Sequence, residues 1–229
     1  MISSTTTSFV SFLSFSACRY FIELLCSLPK PSRLSNTLRL VSHVHWIVIE
    51  DGRRTVRYVE NILRQRGWYQ RTCALQFLRN DTESVIGNYK GAVVYFGDDD
   101  NSYDTRLFTD YIRNVKKLGM WAVGLAGGGP LESPVVVNGT VVGYRAQWRP
   151  ERKFAVDMAG FAVNLNDVLR TTVVFGKSCK SGFDAPEPCF LDDMGFNQTD
   201  IETFGVGEYN DKVSLMVNSL KKKQGNQNC

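Results

Sequence analysis

Histidine is almost missing from this chain: His43 and His45 are the only two in 229 residues. A metal-dependent hydrolase built on histidine ligands therefore lacks its ligand set. The six cysteines, Cys18, Cys26, Cys73, Cys179, Cys189 and Cys229, contain no CxxC pair and no zinc spacing. Cys179 and Cys189 are either partners in a loop disulfide of an oxidising lumen or free thiols. No apolar run reaches the roughly 18 uninterrupted residues of a membrane span, because Arg19 and Glu23 break the Ser-, Phe- and Leu-rich stretch 1–28. No basic region precedes that stretch as in a signal peptide, so it stands as an imperfect signal-anchor or an unusual start. The net charge of +4 is mild and implies no nucleic-acid partner. No internal repeat is present. The sequons at Asn80, Asn138 and Asn197 permit a secretory address without establishing it.

What is there alternates between strands and helices. His45–Glu50 is a strand-like run that ends on Glu50-Asp51-Gly52. Apolar spacing predicts helices over Thr55–Arg66 and Trp68–Leu78. Gly91–Gly97 is the central strand. Leu107–Leu118 follows as an amphipathic helix with Phe108, Tyr111, Ile112 and Val115 inward, then Met120–Leu125 as a strand closed by Gly127-Gly128-Gly129. Asn138-Gly139 between two β runs is a strong hairpin signal. Phe154–Asn164 reads as strand and turn, Asn166–Thr171 as a helix, and the pattern loosens from Gly176 to Phe190. The fold class is α/β, a sheet with flanking helices and a β-hairpin excursion.

Chemistry gathers at Val93–Asn101, where a β-branched and aromatic run meets Gly97 and three consecutive carboxylates, Asp98, Asp99 and Asp100. Such a triplet is either a solvated turn with one aspartate capping the next helix, or a cation site that relieves the mutual repulsion. Its place at the carboxyl end of a buried strand, where α/β sheets bind ligands, points to a metal. Asp157 lies inside an apolar run and needs a partner, a sugar hydroxyl or an internal arginine. Glu132, after the glycine run, either binds hydroxyls or is simply exposed, and Arg152 alone is a solvated loop charge.

Several stretches together resemble the β-1,3-glucuronosyltransferases: His45–Asp51, Arg66–Arg71 with Ala74-Leu75, Val93–Asn101, Trp148–Arg152 and Val156–Phe161. The resemblance runs from about Leu34 to about Glu202. It implies a GT-A glycosyltransferase fold with a mixed central sheet, a donor half over about 32–125 and an acceptor half over about 126–220 of a catalytic domain 32–220. Residues 1–31 become a divergent leader or weak signal-anchor and 221–229 a flexible tail. It further implies a manganese-dependent Golgi membrane protein of type II topology, working as a homodimer. Its donor is UDP-glucuronate and its acceptor a galactose-terminated glycan. By the same resemblance Asp100 binds Mn²⁺; Asp51, Arg66, Arg71, Asp98, Asp99 and Asp157 hold the donor; Glu132, Trp148 and Arg152 hold the acceptor; and Glu187 is the catalytic base.

Three stretches depart from the family pattern. Residues 1–31 carry no Pro-x-Tyr-x-Arg-type uridine element, a segment is omitted near Arg64–Arg66, and Val217-Asn218-Ser219-Leu220 stands where a Trp-His-Thr-Arg-like motif supplies two cations. Weaker donor binding follows, by a few kcal/mol per lost charged contact. The alternative is a catalytically silent relative that binds sugar or serves as a partner subunit.

Overall fold

The structure is a computed structural model that describes residues 9–15, 33–42, 44–50, 68–86, 91–98, 101–176, 179, 182–183, 185–205 and 216–217. The predicted helix over Thr55–Arg66 and the tail 221–229 lie outside these residues, as do Asp51, Arg66, Asp99 and Asp100.

The strands are β1 (Phe9–Phe15), β2 (Val44–Glu50), β3 (Val93–Asp98), β4 (Ser102–Tyr103), β5 (Leu118–Met120), β6 (Val123–Gly124), β7 (Leu131–Val137), β8 (Thr140–Arg145), β9 (Phe161–Asn164), β10 (Ile201–Thr203) and β11 (Met216–Val217). The helices are α1 (Arg33–Leu38), α2 (Trp68–Ile86), α3 (Leu165–Leu169) and α4 (Pro186–Asp193). A six-stranded sheet has the order β10-β5-β9-β3-β1-β2, and a five-stranded sheet the order β4-β11-β6-β7-β8. Within the larger sheet β10 and β5 run parallel and the other pairs antiparallel, so the architecture is mixed α/β. Both sheets take strands from either side of residue 125. Phe9–Phe15, inside the stretch assigned to a leader, pairs between β2 and β3. No helix among the described residues is long and apolar enough to cross a membrane.

β3 is buried on both faces, which is why it is a continuous apolar run rather than an alternating one. Val94 and Phe96 join one core with Phe161, Val163, Phe175 and Phe190; Val93 and Tyr95 join the other with Phe108, Ile112 and Trp121. Successive side chains of a strand point to opposite faces, so this one segment ties the two layers together. The Tyr95 hydroxyl and the Trp121 indole N–H both donate to the Ala159 carbonyl, at 3.2 and 2.8 Å.

Strand direction fixes which ends meet. β1 is antiparallel to both β2 and β3, so these two run the same way. Phe9 lies opposite Glu50 and Val10 opposite Asp98. β9 runs against β3, with Tyr95 opposite Ala162, so the entry to β9 shares that sheet edge. The end of β2 at Glu50, the end of β3 at Asp98 and the turn holding Asp157 thus converge from distant sequence.

Two predicted elements are corrected. Leu107–Leu118 is not a regular helix: a π turn over Leu107–Tyr111 passes into a 3₁₀ turn over Ile112–Asn114, and Val115 is extended. The Asn114 amide donates to the Asp110 carbonyl at 2.7 Å, competing with the backbone ladder. Phe108, Ile112 and Val115 are buried as expected, and Tyr111 half-buried. Met120–Leu125 splits into β5, which pairs with β9 and β10, and β6, which pairs with β7 and β11 in the other sheet. The Asn138-Gly139 hairpin forms as predicted, both turn residues having positive φ (50° and 75°), as a two-residue primed turn requires.

Candidate active site

The hairpin register builds one wall. Ser133 pairs with Arg145, so Glu132 lies at the open end of the hairpin, beside the chain leaving β8. That chain turns through Trp148–Arg152, and Arg152 N–H closes the turn on the Arg149 carbonyl at 3.1 Å. Arg152 folds back inside it. Its Nη2 donates to Glu132 Oε1 at 3.2 Å and to the Trp148 carbonyl at 3.0 Å, and its Nε donates to the Arg149 carbonyl at 3.1 Å. The guanidinium also stacks on the Trp148 ring, 4.4 Å from its centroid.

Glu132 and Arg152 are 3 % and 5 % exposed. Neither the exposed glutamate nor the solvated loop arginine read from the residues is found, because each is the other's compensating charge in a dry site. Burial pushes the Glu132 carboxyl up to about 7; Arg152 opposes the rise and Asp157 adds to it. Trp148 differs, being 43 % exposed. One side of its ring carries a cation while much of its surface meets solvent, a platform suited to a sugar ring.

Glycine makes room for this carboxylate. A Cβ at Gly127 would stand 2.1 Å from Glu132 Oε1, and the residue has φ +58°. Gly127→Ala therefore meets both a clash and a strained backbone. It is expected to cost more than about 1 kcal/mol in urea unfolding, whereas alanine at Gly91, with open space around it and an ordinary φ, is expected to cost little.

The other wall is α4. Pro186 opens it at a position where a missing N–H costs nothing, and Glu187 occupies the first turn, half-buried. Burial pushes its carboxyl up to about 7. A hydrogen bond from its own backbone opposes the rise, Asp157 adds to it, and Arg71 and Arg152 oppose it. Arg71, half-buried on α2, and Arg152 and Asp157 therefore all act on one carboxyl. Asp157 itself caps the turn Met158–Gly160, accepting from Ala159 N–H at 3.1 Å. Its apolar surroundings thus supply a backbone amide, a partner absent from the two alternatives read from the sequence.

Six predicted site residues come together in this way: Arg71, Glu132, Trp148, Arg152, Asp157 and Glu187. Asp98 ends β3 on the sheet edge that Asp157 shares. Among the described residues no group of three histidine, cysteine or acidic side chains could hold a metal ion; Asp99 and Asp100 stand outside them, with Asp51 and Arg66.

The clamps behind the site carry no signal in the sequence. Lys153 Nζ reaches Asp192 Oδ1 at 2.5 Å, joining the Arg152 turn to α4, and Gln198 Nε2 donates to the Lys153 carbonyl at 2.6 Å. Of the two states open to Cys179 and Cys189, the structure has the disulfide. The start of α4 did carry a signal, Pro followed by Glu ahead of Phe190 and Leu191.

Over 201 residues the chain is 35% identical to galactosylgalactosylxylosylprotein 3-beta-glucuronosyltransferase sqv-8 of Caenorhabditis elegans, covering 75% of this chain and 54% of the relative. It is 37% identical over 160 residues to galactosylgalactosylxylosylprotein 3-beta-glucuronosyltransferase 2 of Mus musculus, with 60% and 48% covered. It is 33% identical over 190 residues to galactosylgalactosylxylosylprotein 3-beta-glucuronosyltransferase I of Drosophila melanogaster, with 68% and 61% covered. The chain spans about half the length of the first two of these relatives. Residues 60–218 match the glycosyltransferase family 43 pattern, and the chain belongs to that family.

Proposed function

We propose that this chain transfers glucuronic acid from UDP-glucuronate to the 3-hydroxyl of a terminal galactose, with inversion, in the proteoglycan linkage region. One observation carries the reading. Glu187, with its carboxyl raised to about 7, is acted on by Asp157, which precedes β9 on the sheet edge where β3 ends at Asp98. A base poised near neutrality suits removal of a sugar hydroxyl proton.

In this mechanism the galactose ring stacks on Trp148, and Glu132 and Arg152 bind its hydroxyls. Glu187 takes the 3-hydroxyl proton as that oxygen attacks the anomeric carbon of glucuronate. Arg71 and Asp157 hold the donor, so that attacking and leaving oxygens are aligned. Asp98 and Asp99 also hold the donor, and Asp100 offers carboxylate oxygens, hard donors that fit Mn²⁺. Bound there, the ion supplies charge neutralisation for the departing diphosphate. A GT-A fold, Golgi location, type II topology and a homodimer belong to the same proposal and draw support from the family.

Release of UDP that requires both manganese and a galactosyl-galactose acceptor tests the reading. Acceptor-independent release would make the chain a hydrolase. UDP binding without turnover would make it the silent relative. Asp100→Ala is expected to lose the manganese-dependent part of UDP affinity in calorimetry, and unchanged binding counts against the metal assignment.

A further inference from the structure

We infer that the Cys179–Cys189 disulfide is a positioning element for Glu187, holding the first turns of α4 against the turn that carries Arg152. The inference rests on the transferase reading for its functional consequence. α4 has only eight residues and no side-chain cap at Ala185, so local hydrogen bonding alone holds it weakly. Cys189 lies two residues beyond Glu187, and its bridge closes onto a segment ten residues earlier. That segment is pressed onto the bridge: a Cβ at Gly182 would come within 2.6 Å of Cys179 Sγ and 2.8 Å of Cys189 Sγ. The Gly182 carbonyl accepts from Ala185 N–H at 2.9 Å, tying it to the residue that precedes the helix.

The next residue reaches the opposite wall. The Arg149 guanidinium lies over the Phe183 ring, 5.1 Å from its centroid, and the Arg149 carbonyl accepts two bonds from Arg152. Arg149 and Phe183 both have left-handed backbones (φ 47° and 50°), unfavourable for residues with side chains and kept only where the surroundings over-determine them. The bridge, Gly182, Phe183 and Arg149 thus form a continuous connection between the base and the acceptor wall. The charged groups acting on Glu187 are Asp157, Arg71 and Arg152. Cutting the bridge frees the first turn of α4, hydrates Glu187 and misaligns it with the acceptor.

The test is a carbon-13 carboxyl titration of glutamate-labelled protein, with Glu187→Gln identifying the resonance. Wild type is compared with Cys179→Ser/Cys189→Ser. Loss of the bridge is expected to move the Glu187 midpoint down toward the ordinary value of about 4.3. kcat is expected to fall roughly tenfold or more, with KM for UDP-glucuronate unchanged. If the double variant does not fold, reduction and alkylation of folded wild type, with the alkyl groups counted by mass, gives the same comparison. An unmoved midpoint overturns the inference, including where kcat falls, because the bridge is then merely structural. If the oxidised protein transfers no sugar the functional reading fails, while the titration still decides whether the bridge positions Glu187.

Discussion

Glu187→Gln is expected to abolish the proposed transfer, by a factor on the order of 10²–10⁴ for the loss of a positioned base, and at the same time to stabilise the protein above neutral pH. The two effects share one cause. Burial raises the Glu187 carboxyl to about 7, so the folded state holds a proton that the unfolded chain releases at the ordinary carboxylate value. The stabilising effect of the raised pKa is therefore complete below the unfolded value. It is lost as pH rises through the folded one, at about 1.4 kcal/mol for each pH unit separating the two values. Glutamine removes that loss. The expected record is a melting temperature equal to wild type near pH 4, higher than wild type at pH 8, and manganese-dependent UDP binding unchanged by calorimetry. A variant that turns over normally removes Glu187 from the mechanism. One that binds no UDP shows that the change reached beyond the base.

Arg152→Ala has the largest expected cost to stability. It strips the cation from a Glu132 that is 3 % exposed, leaves the Trp148 carbonyl without its side-chain donor, and leaves the Arg149 carbonyl with only the backbone N–H of residue 152. Removing one partner of a buried pair typically costs about 3–5 kcal/mol. Here the cost depends on pH, because an unpaired Glu132 can take up a proton. It is expected in full at pH 8 and reduced at pH 5.5, read as the difference in urea unfolding free energy at the two values. Glu132→Gln in the same chain should recover part of it, since a neutral amide tolerates the dry site better than an orphaned carboxylate. Equal losses at both pH values would mean that the cost lies in packing against Trp148, not in charge.

These two residues also mark where sequence reading stopped. The central strand was legible because burial on both faces writes an unbroken run, Val93–Phe96, and Gly97 ends it before the acids. The hairpin was legible because Asn138-Gly139 suits positive φ. The Glu132–Arg152 pair was not, since its members are brought together only by the register of β7 on β8 and the turn after β8. Isolated in sequence, each resembles a surface charge. The irregular turns over Leu107–Asn114 kept their apolar spacing, so the inward faces were legible although the helix type was not. The candidate base emerged through the motif resemblance; the raised pKa of Glu187 comes from burial and from Asp157, against the opposing cations Arg71 on α2 and Arg152 in its turn, and none of these neighbours is near it in sequence.

The most direct test of the central claim is the pH profile of kcat/KM for the acceptor, measured at saturating manganese with donor held constant. A base at Glu187 predicts a rise with pH through a limb near 7, retained in position when Glu132 is changed to glutamine and absent from any residual activity of Glu187→Gln. A profile flat from pH 5 to 9, or a limb that persists in Glu187→Gln, would contradict the account.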